Sequence, residues 1–184
     1  MIHAIFLFNN QGRPRLTKFY KYYSVEKQQK AIKTVYSHVS KRSDISCNFL
    51  ENVNIFEDIE SKLVYRHYAT LYFVFVIDSC ESELGILDLI QVFVEILDKI
   101  FENVCELDII YNLDKIHSII SEMIIGGMVM QTNMSEIICR LDQVRLLEQN
   151  DEKVLSPSRA ISSIKDLNIT KKIKTKFNDL SRKF

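Results

Sequence analysis

Two arginines near the start of this 184-residue chain are the residues best suited to bind a ligand. Arg13 and Arg15 alternate with Pro14 and Leu16. Successive side chains of an extended strand point to opposite faces, so both guanidinia fall on one side. A guanidinium is planar, permanently charged and forked, and Arg15 can therefore form a bidentate pair with an acidic ligand. A solvated or internally paired arginine fits the same pattern.

Other chemistry is hard to find. His3, His38, His67 and His117 have no metal-ligand spacing with one another or with Cys47, Cys80, Cys105 and Cys139. The cysteines lie 33, 25 and 34 residues apart, with no CxxC, and read as reduced thiols rather than a disulfide framework. Only four glycines are present, and no phosphate-cradling GxGxxG or GxxxxGK occurs. HExxH and GxSxG are also missing. His67, beside Arg66, reads as a hydrogen-bonded structural histidine. Cys105 reads as structural, because the neighbouring Glu106 and Asp108 would raise its pKa and blunt a nucleophile. The acidic pairs Glu81/Glu83 and Glu106/Asp108 suit the opening turns of helices, where they complement the macrodipole, better than acid–base catalysis. An enzyme is therefore the weaker class, and neither cofactor nor metal is expected.

Positioning Arg15 falls to a set of alternating elements. Ile2–Phe8 predicts a buried strand, Asn9-Asn10-Gln11-Gly12 a turn, and Arg13–Tyr20 the second strand of a hairpin. Residues 25–40 place Ala31, Ile32, Val35, Tyr36 and Val39 on one helical face, with Ser24 as N-cap. Residues 43–60 read as polar and irregular, with at most a short strand at Cys47–Leu50. Lys62–Tyr68 and the unbroken apolar run Leu71–Ile77 predict two strands, the second buried on both faces. In 84–102, Asp88, Gln91, Glu95, Asp98 and Glu102 form one narrow polar stripe on a helix that must be covered almost all round. A helix over 106–125 ends at Gly126-Gly127, and a capping box of Asn133 with Glu136 opens a last helix to about Gln149. This order predicts an α+β (α/β) fold, an antiparallel sheet with helices on it.

Charge divides the chain. Lys plus Arg and Asp plus Glu both number 24, which excludes a generally basic nucleic-acid binder. Residues 1–149 hold 15 basic and 20 acidic side chains, whereas 150–184 hold 9 and 4. We therefore expect a domain over 1–149 and a basic, flexible tail over 150–184. The tail suits ordering on a partner or an acidic membrane surface, or else is a plain solvated extension. No run reaches the 18 uncharged apolar residues of a membrane span, and Met1–Phe8 lacks the marks of a signal peptide. A cytoplasmic protein is expected.

Three stretches carry a resemblance: MIHAIFLFNNQGRPRLTKFY, YRHYATLYFVFVID and ELGILDLIQVFVEILDKIFENVCELDIIYNLDKIH. Together they resemble the small (sigma) chains of clathrin-associated adaptor complexes. CESELGILDLIQVFVE and EMIIGGMVMQTNMSEI look most like the sigma type of adaptor-protein complex three. The resemblance covers about residues 1–149. It implies a longin-like fold, a five-stranded antiparallel sheet sandwiched by α-helices. It also implies a direct, stable partnership with a delta-type large subunit, and beta and medium (mu) chains completing a heterotetramer. The implied role is vesicle formation and sorting of membrane cargo from Golgi or endosomal membranes towards lysosome-related organelles. Membranes are reached only through the assembled complex.

The resemblance further implies a site, shared with the large subunit, for acidic dileucine signals in cytosolic cargo tails. Such a signal is an acidic residue followed four positions on by Leu and then Leu or Ile. By that correspondence Arg15 helps to hold the acidic position. Ala69, Leu71, Val94, Val104, Leu107 and Ile109, with Asn103 beside them, form the pocket for the two leucines. Ala69, Leu71 and Val94 equally suit a plain place in the core. Rival readings are a free-standing longin-type trafficking regulator, the sigma subunit of a different adaptor complex, and a small α/β enzyme.

Overall fold

The computed structural model describes residues 1–43, 46–56 and 59–155. The chain divides into two compact units, Met1–Ile138 and Cys139–Phe184. The first unit holds a sheet whose centre is the most apolar part of the sequence. Strand β1 (Ile2–Asn9) is buried at every position, and β5 (Leu71–Asp78) is buried throughout except at Tyr72 and Asp78. They pair antiparallel along nearly their whole length, Asn9 opposite Leu71 and Phe6 opposite Val74. Strand β2 (Pro14–Phe19) flanks β1, while β4 (Ile59–Tyr68) and β3 (Phe49–Phe56) extend the other side. The order β2-β1-β5-β4-β3 is antiparallel at every pairing, as the alternating apolar runs require.

The expected turn forms at 9–12. Gly12 N–H donates to Asn9 O (2.9 Å), and the Asn9 side chain accepts from the backbone N–H groups of Gln11 and Arg13. Gly12 has φ +79°, and a Cβ there would lie 2.5 Å from the Tyr36 ring. Only glycine meets both demands.

Helix α1 (Val25–Val39) buries Ala31, Val35 and Val39, as its periodicity predicts. The Ser24 hydroxyl makes no capping bond, and the Gln28 side-chain amide donates to Tyr23 O (2.9 Å) just before the helix. These buried residues pack on Ala4, Phe6, Phe8, Leu63, Tyr65, Val74 and Val76, one face of the sheet. Helix α2 (Glu83–Phe101) covers the other face, where Phe93 meets Phe73 edge-on at 5.9 Å. The sheet is thus sandwiched. The polar stripe of α2 does more than face water. Gln91 Oε1 accepts from Arg66 Nη1 (2.6 Å) and from the Tyr68 hydroxyl, tying α2 to β4.

Three expectations need correction. Residues 43–60 are not mostly irregular: β3 spans Phe49–Phe56 and β4 begins at Ile59. Val53, Ile55 and Phe56 are buried, and the intervening polar residues with two register shifts hide the strand period. The single helix over 106–125 is two, α3 (Glu106–Tyr111) and α4 (Leu113–Met123), broken at Asn112 with φ −120° and ψ 37°. Asn112 ends α3 by donating both its N–H and its side-chain amide to Asp108 O. Gly126 and Gly127 then sit in a short hairpin between β6 (Ile124–Ile125) and β7 (Met128–Val129). The last helix, α5 (Met134–Leu155), is capped by Asn133 Oδ1 accepting from Ser135 N–H (3.1 Å). The reciprocal half of the box is not made through Glu136, because Asn133 N–H donates to Gln131 Oε1 (3.0 Å).

In the second unit, α5 continues to Leu155 with Val144, Leu146 and Leu147 exposed. The expected division at 149/150 therefore lies within one helix, and the rest of the basic tail, 156–184, lies outside the described residues.

Candidate functional site

The end of the sheet at which β1 passes into β2 gathers most of the candidate residues. Arg15, on β2, does not face solvent alone. Its Nε and Nη2 donate to one oxygen of Glu106, Oε1, at 2.7 and 2.6 Å. The Asn9 side-chain amide donates to the same oxygen at 3.2 Å. Glu106 is the first residue of α3. The pair thus joins residues 91 apart in the chain, and both side chains keep about a quarter of their surface in solvent, 22% and 27%.

Leu71 reaches the same end because it pairs with Asn9 across β1–β5 and with Tyr68 across β4–β5. Ala69 lies in the β4–β5 turn, exposed, with φ +51°. A non-glycine residue there costs roughly 1–2 kcal/mol. A second unusual stretch follows α2, where Glu102 has φ +50° and Asn103 φ +75°. These left-handed residues end the helix and turn the chain back. Val104 N–H then donates to Asp98 Oδ1 (3.3 Å), and Cys105 N–H to Asp108 Oδ2 (2.9 Å). Ala69, Glu102 and Asn103 are the non-glycine residues with positive φ among those described.

The candidates differ in access. Leu107 is 58% exposed, Asn103 is exposed, and Val94 and Val104 are half-buried. Leu71 is buried and Ile109 has no exposed surface. Leu71 therefore presents only a sliver of surface, and Ile109 backs the rim from within the core. The bonds bring Arg15, Leu71 and the 103–109 segment to one rim through Asn9 and Glu106; Val94 is placed by α2, one turn before Asp98.

Electrostatics at the rim follow these bonds. The Cys105 thiol and Cys105 N–H bond the Asp108 carboxylate and hold it below its ordinary range. Cys105, read from the sequence as a structural cysteine, is exposed, like Cys47, Cys80 and Cys139. His67 is held as read, stacked on Tyr72 at 4.1 Å with Nε2 3.2 Å from Asn10 Oδ1. A separate cavity of about 370 Å³ lies among Val39, Arg42, Tyr65, His67 and Tyr72, and includes none of the candidate residues. Among the described residues, no three His, Cys, Asp or Glu side chains gather to hold a metal ion, and no helix is long and apolar enough to cross a membrane.

Two participants escaped the sequence. Asn9 reads only as a turn residue and Glu106 only as a helix-opening acid, and no local spacing links either to Arg15. The rim combines the Arg15–Glu106 pair with small and apolar side chains at Ala69, Val94, Val104 and Leu107.

Comparison with known proteins bears on this arrangement. The family model for the clathrin adaptor complex small chain matches residues 1–148. The human AP-3 complex subunit sigma-2 is 52% identical over 170 residues, 92% of this chain and 88% of that protein. The AP-3 complex subunit sigma of Dictyostelium discoideum is 54% identical over 159 residues, covering 85% and 92%. A chain in a homology model of the full-length AP-3 complex in a stretched open conformation matches with TM-score 0.62 and 40% identity, covering 83% of this chain and 99% of that one.

Proposed function

Since the chain belongs to the clathrin adaptor complex small chain family, a family of trafficking components rather than enzymes, we propose that it is the sigma-type small subunit of an adaptor complex of the AP-3 kind. It binds a delta-type large subunit directly, and beta and mu chains complete a heterotetramer. The complex sorts membrane cargo at Golgi or endosomal vesicles towards lysosome-related organelles. Its small-chain domain covers about residues 1–149, and the basic residues beyond it are an extension that starts within α5.

We further propose that the rim binds acidic dileucine signals, with Arg15 holding the acidic position. Ala69, Val94, Asn103, Val104 and Leu107 border the leucine pocket, Leu71 forms its floor, and Ile109 supports it from the core. The observation that carries this reading is the junction of Arg15 with the 103–109 segment, made by residues 91 apart in sequence. A guanidinium beside small and apolar side chains suits an extended peptide that carries an acidic residue and two leucines.

Co-expression with the delta-type large subunit, read by size-exclusion chromatography, tests the assembly. A stoichiometric soluble pair is expected; a monomer that ignores the partner would refute it. In that pair, Leu107→Ser and Val94→Asp should abolish binding of an acidic dileucine peptide while assembly persists. Retained binding would discard the site.

A further inference from the structure

Arg15, the cation assigned above to the acidic position of a signal, is already engaged. Its Nε–Nη2 edge converges on Glu106 Oε1 at 2.7 and 2.6 Å. This is the edge a ligand carboxylate would use for a two-bond approach. Both donors meet a single oxygen, so the pair lacks the parallel two-oxygen geometry of the strongest arginine–carboxylate contacts. That oxygen also takes the Asn9 amide, which anchors it to the β1–β2 turn.

Charge makes the consequence concrete. A ligand carboxylate approaching Arg15 meets a pair of formal charge zero. To bond the guanidinium edge it must displace Glu106 or share the guanidinium with it, at the cost of placing two carboxylates side by side. Displacement is within reach, since the Glu106 side chain keeps 27% of its surface in solvent and water can receive it. The pair is only partly buried and both partners reach water, so exchanging one carboxylate for another leaves the guanidinium with an equivalent partner.

We propose that Glu106 is a built-in competitor for Arg15, occupying the place of the signal's acidic residue until a peptide displaces it. This rests on the reading of the rim as the signal site. Competition weakens the resting site and reduces its preference for acidic over neutral peptides. Peptides that also fill the leucine pocket then gain an advantage over acidic segments at large.

The test is peptide binding to the full chain assembled with its large subunit, by isothermal calorimetry. The probes are a dileucine peptide with Glu at the acidic position and the same peptide with Gln there. Glu106→Gln should tighten the Glu peptide about three- to tenfold, the scale of a partly exposed ion pair, and leave the Gln peptide nearly unchanged. Its binding should also fall more steeply with salt than that of the native complex, because the peptide now meets a net positive charge. Glu106→Asp withdraws the carboxylate by one methylene yet keeps an acid at the start of α3, and it should shift the Glu peptide in the same direction. Weaker Glu-peptide binding in both variants would mean that Glu106 orients Arg15, and would overturn the competitor. Unchanged binding in both would overturn it equally. Leu107→Ser separates the two levels of the argument. Binding lost in Leu107→Ser but not strengthened in Glu106→Gln defeats the competitor alone. No binding of either peptide to the native complex or to Glu106→Gln defeats the site and the competitor together.

Discussion

The centre of the sheet and the rim at its end obey different physics. Along β1 and β5 the side chains are mostly apolar and almost fully enclosed between α1 and α2. At the rim the chain adopts left-handed φ at Ala69, Glu102 and Asn103, leaves Leu107 largely in solvent, and is joined by polar pairs. Burial of apolar area contributes roughly 1.5–3 kcal/mol per large side chain, whereas exposed ion pairs contribute about 0–1 kcal/mol. The centre therefore holds the fold, and the rim is free to be shaped for contact. Strained backbone beside exposed apolar side chains is a common mark of a binding surface.

The most severe test of this division is truncation at the centre. Phe6→Ala should cost about 3–5 kcal/mol, because Phe6 is fully buried among Phe8, Phe19 and the α1 face. Leu107→Ser, at the rim, should cost under about 0.5 kcal/mol. Denaturant titration of the two variants checks the contrast, and comparable losses would erase it.

Next comes Gly127→Ala, at the seam between the β6–β7 hairpin and β1. A Cβ at Gly127 would lie 2.3 Å from Ile2 O, and its φ is +84°. Backbone cannot step aside cheaply there, since Ile2 N–H donates to Gly127 O at 2.8 Å. A loss of roughly 2 kcal/mol or more is expected in the same titration. Gly126→Ala, with positive φ but open space around it, should cost less.

A smaller effect of opposite sign should come from the rim. Glu102→Gly relieves a left-handed residue at the end of α2, where glycine is the preferred terminator. Stability should rise by up to about 1 kcal/mol, less what the freer unfolded chain takes back. A clear loss would show that the Glu102 backbone is not strained.

The smallest effect is pH dependence, and its window differs between the regions. Burial pushes the pKa of His3 below its ordinary 6.5, against the attraction of Asp78; the amino terminus and Lys21 push it the same way. Its Nε2 is buried without a hydrogen-bond partner among the described residues. The unfolded chain then takes up a proton that the folded chain refuses. Stability is complete well above pH 6.5 and falls as the pH drops through that value towards the lower folded pKa. His117, also pushed down by burial, adds in the same direction. At the rim, Asp108 is held below its ordinary 3.8, so its contribution persists to far lower pH and is lost only in acid. Between pH 7 and 5 the thermal midpoint should fall more in the native chain than in His3→Gln.

The central fold was legible because its signals are local. The run Leu71–Ile77 has no polar residue to place on a solvent face, and the α1 periodicity named the buried Ala31, Val35 and Val39. Strand β3 was not legible, because register shifts and polar residues break its alternation. The break at Asn112 was missed because apolar spacing runs through it, and two bonds to Asp108 O end α3 there. At the rim, the sequence marked Arg15 by its chemistry but could not supply its partner.

Composition and apolar patterning alone determined a largely apolar antiparallel sheet with helices on it, and, with three distinctive stretches, the family. Those properties depend on residues near one another in the chain. Tertiary structure alone decided that Asn9, Arg15 and Glu106 share one oxygen across 91 and 97 residues, and that Leu71 and Ile109 are enclosed while Leu107 is not. The physical reason is that a hydrogen bond or an ion pair depends on distance in space, which only the packed sheet and the turn after α2 bring about.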